Sequence, residues 1–113
     1  MAKNETGASP LIQRLETMLA AGNDNLLLRF GLGKAYAEAE QFEQAIGHFE
    51  QAVLLDAAHS SSWFGLGRAQ YELGRLEDAE RTLDEAVRIA AEKGDSQTVK
   101  MAQVFLRRLQ KSR

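Results

Sequence analysis

Two short glycine-containing segments could, by residue type, bind a phosphate group. Residues 31–34 read Gly-Leu-Gly-Lys, and residues 65–68 read Gly-Leu-Gly-Arg. Backbone N–H groups in a glycine-rich loop can surround a phosphate, and a basic side chain adds charge. Neither segment has the spacing of a Walker loop, and Tyr36 and Gln70 stand where a dinucleotide-binding turn needs its third glycine. We therefore expect neither a nucleotide site nor a bound cofactor.

Histidine, cysteine and carboxylate side chains form no catalytic or metal-binding pattern either. His48 and His59 are the only histidines, and no third ligand stands at metal-binding spacing. Cysteine is absent, which excludes a thiolate nucleophile and a disulfide. Acidic pairs such as residues 77–78 and 84–85 fall in polar helical patterns, where nothing predicts the burial that would raise a carboxyl pKa. The sequence predicts a protein that is not an enzyme and holds no metal.

Length and composition indicate one small domain without a membrane segment. The chain has 113 residues, enough for one modest core. Its 16 acidic and 14 basic residues nearly balance, so no strong overall field favours nucleic acid. No apolar run approaches the ~20 residues of a membrane span, and the start lacks the apolar stretch of a secretion signal. We expect a cytoplasmic protein in which residues 1–9 form a disordered tail ahead of a single domain at residues 10–113.

The elements that position the glycine segments are predicted to be helices. Ala, Leu, Glu, Gln and Arg dominate the composition, and the only proline, Pro10, follows Ser9 as it would at a helix start. Apolar residues recur at spacings of three and four between glycine-containing and polar joints. This pattern predicts an all-α fold of about six helices, over residues 10–22, 26–39, 42–55, 60–73, 76–91 and 95–111.

The glycine segments belong to a longer internal repeat. Phe64 follows Phe30 by 34 positions, and Gly67 follows Gly33 by the same number. A fixed period of this size is typical of stacked helix pairs, and the repeated residues resemble the signature of the tetratricopeptide repeat family. The signature is met by Leu32, Gly33, Tyr36, Ala45, Phe49 and Ala52, and again by Trp63, Leu66, Gly67, Ala79, Leu83 and Ala86.

The resemblance implies a right-handed α-solenoid of antiparallel helix pairs. Its parts are a half-repeat helix at 10–22, full repeats at 26–59 and 60–93, and a capping helix at 95–111. Gly33 and Gly67 then have a steric role, because a residue without a side chain lets the two helices of a repeat cross closely. After one inserted residue, Met101, Ala102 and Phe105 take the leucine, glycine and tyrosine positions of the capping helix.

Several positions depart from the family signature. Arg29 stands at the tryptophan position, Gln70 at a tyrosine position and Leu83 at a phenylalanine position. Ala57 and Ala91 stand where the closing prolines would be. These departures weaken individual packing contacts and leave helix ends less sharply defined, but the period is unbroken.

In this family, the first helices of successive repeats line a concave groove that binds a peptide of a partner protein. Carried over residue by residue, the resemblance implies the groove residues Leu27, Phe30, Gly31, Lys34, Ser61, Phe64, Gly65, Arg68 and Tyr71. Helical spacing separates Phe30 from the core face, so we expect Phe30 and Phe64 to lie outside the core. Gly31 and Gly65 each cost ~0.8–1 kcal/mol against alanine in a helix. Either a ligand approaches these two glycines closely or neighbouring helices crowd them.

The groove residues imply a non-catalytic scaffold that binds a peptide with an apolar anchor and acidic residues, since Lys34 and Arg68 stand beside the two phenylalanines. The lysine and asparagine clamp that family members use for a terminal carboxylate is not matched, because Phe30, Gly31 and Gly65 occupy its positions. The alternative is a structural homodimer that pairs through the same apolar groove. No nucleic-acid or membrane partner is expected.

Basic residues near the C-terminus admit two interpretations. The residues are Lys100, Arg107, Arg108, Lys111 and Arg113. They either solvate an end cap and complement the helix C-terminus, or they bind an anion or a nucleic acid. The first interpretation is favoured, because no aromatic residues alternate with these basic residues.

Overall fold

The computed structural model describes residues 9–112, which form six α-helices joined by short turns. The helices are α1 (Pro10–Ala20), α2 (Leu26–Glu38), α3 (Phe42–Leu55), α4 (Ser60–Glu72), α5 (Leu76–Lys93) and α6 (Ser96–Lys111). None of the described residues lies in a strand, so the predicted all-α fold is confirmed. The predicted tail lies outside the described residues except for Ser9, which caps α1.

Polar side chains cap the N-termini of the first two helices, α1 and α2. Ser9 Oγ accepts a hydrogen bond from the Ile12 N–H at 3.1 Å, and Asn25 Oδ1 accepts one from the Leu28 N–H at 2.9 Å. Each cap satisfies an N–H group that has no partner inside its helix. The polar joints of the sequence therefore act as helix start signals.

Glu40 and Gly74 occupy equivalent turns, 34 positions apart, between the two helices of each repeat. The Glu40 N–H donates to the Ala37 carbonyl, and the Gly74 N–H donates to the Tyr71 carbonyl. Gly74 has a φ of 80° and Glu40 a φ of 60°, so both backbones are left-handed. Within residues 9–112, Glu40 is the one non-glycine residue with a positive φ. A side chain destabilises this conformation, so the first repeat carries strain that the second avoids.

The six helices form a stack of antiparallel pairs. Each helix packs against the next along the chain, and α2 also contacts α4, as α4 contacts α6. Because consecutive helices are antiparallel hairpins, α2, α4 and α6 run in the same direction. These three helices therefore lie side by side and form one face of the molecule.

The core is divided between the repeats and depends on glycines at helix crossings. Buried residues around Phe49 form one cluster, and buried residues around Leu83 form the other. A β-carbon on Gly33 would lie 2.6 Å from Phe49 Cε1, and one on Gly67 would lie 2.7 Å from Leu83 Cδ2. The predicted steric role of both glycines is confirmed, since no side chain fits at either crossing.

A polar network replaces the tryptophan of the family signature in the first repeat. Arg29 Nε donates to Asp24 Oδ1 at 2.8 Å, and its Nη1 lies 3.0 Å from His48 Nδ1. The Tyr36 hydroxyl donates to Glu16 Oε2 at 2.5 Å, and its ring stacks on the His48 ring at 5.4 Å between centroids. Burial, and then the hydrogen bond to Glu16, raises the pKa of Tyr36 to about 12. The network joins α1, α2 and α3 on the side of α2 that faces them.

Candidate functional site

Helices α2, α4 and α6 enclose an open groove of about 400 Å³. Six of the nine residues predicted for a binding groove line it: Phe30, Lys34, Ser61, Phe64, Gly65 and Arg68. These residues come together because α2 and α4 run in the same direction one repeat apart. The 34-residue period therefore places equivalent side chains next to each other across the groove.

Three of the predicted groove residues do not line the cavity. Leu27, in the first turn of α2, is 78% exposed and lies beyond its edge. Gly31 faces α1, where a β-carbon would lie 3.9 Å from Leu15 Cδ1. The Tyr71 ring packs edge-on against Phe105 of α6, with the centroids 5.2 Å apart. Helix periodicity gives the direction of a side chain but not its distance from the cavity, and at Gly31 the nearest neighbour in that direction belongs to α1.

Phe30 and Phe64 line the groove but also pack into the core, so the expectation that they lie outside it is wrong. Phe30 contacts Phe49, with ring centroids 6.0 Å apart, and its other edge meets His59 at 5.0 Å. Phe64 meets Phe105 of α6 at 5.8 Å. Each ring is half-buried, because one side of it faces the groove and the other packs against the buried core.

Gly65 lies at the bottom of the groove for a packing reason. A β-carbon there would lie 2.5 Å from Phe49 Cζ, whose ring also lines the cavity. Crowding by a neighbouring helix, one of the two explanations that the sequence left open, therefore accounts for Gly65. It does not account for Gly31, where an added β-carbon would make only an ordinary contact.

Cationic side chains lie above the phenylalanines. Lys34 Nζ lies 5.7 Å from the centroid of the Phe30 ring. Arg68 Cζ lies 5.9 Å from the centroid of the Phe105 ring, and Arg68 Nε lies 3.6 Å from Glu72 Oε2. Cations above aromatic faces are attracted by the ring electrons and remain open to a ligand on the other side.

Helix α6, which the sequence predicted as a capping helix, supplies the far wall of the groove. Met101, expected at a buried leucine position, is 36% exposed and lines the cavity, whereas Leu66 at that position of α4 is 5% exposed. Asp95 caps the N-terminus of α6 and accepts hydrogen bonds from the Ser60 hydroxyl at 2.8 Å and the Thr98 N–H at 3.2 Å. The Thr98 and Ser60 hydrogen bonds lower the pKa of the Asp95 carboxyl. Its charge is therefore already partnered within the fold.

The described residues contain neither a cluster of metal-ligating side chains nor a membrane-spanning helix. No group of three histidine or acidic residues within residues 9–112 is arranged to hold a metal ion. No helix in that range is long and apolar enough to cross a membrane. Of the C-terminal basic residues, Arg108 lies over Phe105 with its Cζ 4.7 Å from the ring centroid, and Arg113 lies outside the described residues.

Comparison with known proteins gives matches over nearly the whole chain. The family model described as tetratricopeptide repeat (TPR) matches residues 30–94. A TPR repeat-containing protein of Pseudomonas aeruginosa is 43% identical over 103 residues, which cover 91% of this chain and 98% of that protein. The solution structure of a Bordetella parapertussis protein is also 43% identical, with a TM-score of 0.81, over 92% of this chain and 90% of that chain.

A structure with a bound peptide is also similar. The second TPR domain of the human RPAP3 protein, in complex with an HSP70 peptide, has a TM-score of 0.68 and 25% identity. The match covers 81% of this chain and 78% of that chain. By its 34-residue period, its stacked helix pairs and these matches, the chain belongs to the tetratricopeptide repeat family.

Proposed function

We propose that this protein is a non-catalytic interaction module that holds a peptide segment of a partner protein in the groove between α2, α4 and α6. The observation that carries the proposal is the repeated pairing of a half-buried phenylalanine with an exposed cation one helical turn later, Phe30 with Lys34 and Phe64 with Arg68. An apolar side chain gains ~25 cal/mol per Å² when it leaves water for such a surface. A neighbouring carboxylate on the ligand would meet the cations.

The complex of the RPAP3 domain with an HSP70 peptide supports peptide binding as a use of this fold. The residues of the present groove favour a different ligand. Phe30, Gly31 and Gly65 occupy the positions where the family's terminal-carboxylate clamp has lysine and asparagine, and none of the three has a side-chain hydrogen-bond donor. The ligand that fits best is a segment with an apolar anchor flanked by acidic residues.

A displayed library of random peptides tests this proposal. The bait is the wild-type chain, and the groove variant carries Lys34→Glu and Arg68→Glu, two substitutions at exposed positions that keep every phenylalanine side chain. The matched control carries Arg14→Glu and Arg107→Glu, which change the net charge equally at exposed positions outside the cavity. We expect peptides that bind the wild type and the control with similar affinity and lose at least about tenfold against the groove variant.

Light scattering after gel filtration distinguishes this function from self-assembly through the groove. A monomer that selects peptides in the groove supports the proposal. A constitutive dimer that is dissociated by Met101→Glu, a change at a 36% exposed residue of the groove wall, together with selection of no groove-dependent peptide, would instead establish the structural homodimer.

A further inference from the structure

The groove face carries the same three-step pattern on two adjacent helices. The residues, in order along each helix, are Phe30, Lys34 and Glu38 on α2 and Phe64, Arg68 and Glu72 on α4. Residues four apart lie on one face of a helix, and α2 and α4 run side by side in the same direction. The groove therefore has three parallel bands that cross both helices, which we name the phenylalanine band, the basic band and the acidic band in that order.

The basic band is the part of the groove with unused charge. Among residues 9–112, no carboxylate forms an ion pair with Lys34. Arg68 pairs with Glu72 at 3.6 Å, but the two side chains are 48% and 32% exposed, and such pairs contribute little in water. Asp95, the remaining acidic residue of the far wall, already accepts two hydrogen bonds. A ligand carboxylate can therefore replace solvent at Lys34 and exchange with Glu72 at Arg68.

We propose that the groove recognises an internal acidic segment in the polyproline II conformation, with acidic residues three positions apart. This inference rests on the proposed function, since it specifies the ligand of the same groove. Helices in contact, as α2 and α4 are, lie about 8–10 Å apart, which sets the distance between the Lys34 and Arg68 positions. A polyproline II chain has three residues per turn and rises ~3.1 Å per residue, so residues i and i+3 point the same way ~9 Å apart.

Other backbone conformations fit the groove less well. In a β-strand, side chains on one side are ~6.6 Å or ~13 Å apart, which brackets the required distance without matching it. In an α-helix, side chains on one face are ~6 Å apart over four residues or ~10.5 Å apart over seven, which likewise brackets the about 8–10 Å between helices in contact.

The three bands also determine the order of residue types in the ligand. A polyproline II chain has three faces, so one can meet the basic band, the next can meet the phenylalanine band, and the third faces solvent. The ligand therefore repeats an acidic residue, an apolar residue and a residue of any type, in one direction or the other. The acidic band repels a ligand shifted by one helical turn, so it fixes the position of the segment.

Fluorescence anisotropy with designed peptides tests the spacing. Each peptide is about nine residues long, acetylated, amidated and fluorescently labelled. Its two glutamates are separated by two, three, four or seven positions, and a leucine follows each glutamate in one series and precedes it in a second series. We expect the three-residue spacing to bind at least about tenfold more tightly than the others, and less tightly as salt is raised. Lys34→Glu should abolish that preference, and a peptide with lysine in place of one of the glutamates should restore binding to the variant. Arg14→Glu is the control with the same charge change.

The outcomes separate this inference from the proposed function. Tightest binding at seven residues, binding that does not depend on spacing, or binding that requires a free terminal carboxylate would each overturn the polyproline II segment. If the random library yields groove-dependent peptides without acidic residues three apart, the inference is wrong and the proposed function stands. If neither the library nor the designed peptides bind in a manner that depends on Lys34 and Arg68, both are wrong.

Discussion

The ring of Phe49 lies between Gly33 of its own repeat and Gly65 of the next. A β-carbon would lie 2.6 Å from the ring at Gly33 and 2.5 Å from it at Gly65, so the ring touches the backbones of both α2 and α4. The same ring lines the groove. The contact that joins the two repeats is therefore also the contact that sets the spacing of the groove helices.

Alanine at Gly65 is expected to lower the free energy of unfolding by about 1–3 kcal/mol, although alanine favours helices. The ring of Phe49 cannot move away from Gly65 without moving into Gly33. Gly31, one repeat earlier, is the control, because a β-carbon there meets only Leu15 at 3.9 Å. Gly31→Ala should raise the free energy of unfolding by up to ~1 kcal/mol. Urea denaturation followed by circular dichroism measures both changes in stability. Equal effects of the two substitutions would contradict the tight contact between position 65 and the Phe49 ring.

Glycine at position 40 should stabilise the fold. Glu40 has a φ of 60°, and the left-handed conformation costs a residue with a β-carbon roughly 1–2 kcal/mol, part of which the greater flexibility of unfolded glycine offsets. Glu40→Gly is therefore expected to raise the free energy of unfolding by about 1 kcal/mol. Gly74→Ala, the reverse change in the equivalent turn, should lower it by about the same amount. The prediction is wrong if both variants shift the thermal midpoint in the same direction.

Gln70 is buried at a position where Tyr36 occurs in the first repeat, and its Oε1 atom has no hydrogen-bond partner in the described part of the chain. A buried polar atom without a partner costs about 1–3 kcal/mol. Gln70→Met keeps the length of the side chain and removes the polar oxygen. We therefore expect the free energy of unfolding, measured by chemical denaturation, to rise by about 1–2 kcal/mol. Gln103→Met, on the exposed surface of α6, is the control and should change little. A loss of stability in Gln70→Met would mean that the amide is hydrogen-bonded in solution.

Sequence periodicity was sufficient for the helices and for the glycine crossings. The 34-residue period aligned Gly33 with Gly67, and close packing against Phe49 and Leu83 follows from that alignment. Periodicity gives the direction of a side chain around its helix axis, which is why six of the nine residues predicted for the groove line the cavity. It gives no measure of depth, and so the half-buried state of Phe30 and Phe64 could not be predicted.

The features that the sequence missed depend on contacts between distant residues. Met101 lines the groove because α6 packs against both α5 and α4. The one residue inserted before α6 does not reveal this placement. The network of Arg29 replaces a tryptophan through Asp24 in the turn before α2 and through His48 on α3, 19 positions away. A single sequence contains no signal for such partnerships.

Lowering the pH below about 6.5 is expected to destabilise the fold through its two histidines. Burial is the main cause that lowers the pKa of both His48 and His59 from the ordinary value of 6.5. Glu16 raises the pKa of His48 and Arg29 lowers it, with the net shift downward. Because the folded-state pKa is the lower one, the unfolded chain binds more protons. The contribution is therefore complete above 6.5 and is lost as the pH falls through the folded-state values.

Urea denaturation at pH values between about 7.5 and about 5 measures this loss. We expect the free energy of unfolding to fall with pH in the wild type and to fall less steeply in a variant carrying His48→Thr and His59→Asn. The slope is compared rather than the absolute stability, because His48→Thr also removes the stacking on Tyr36. Asp24 and Asp95, whose pKa values are lowered from 3.8, remain ionised throughout this range and do not contribute. An identical slope in the variant would show that neither histidine is held neutral by the fold.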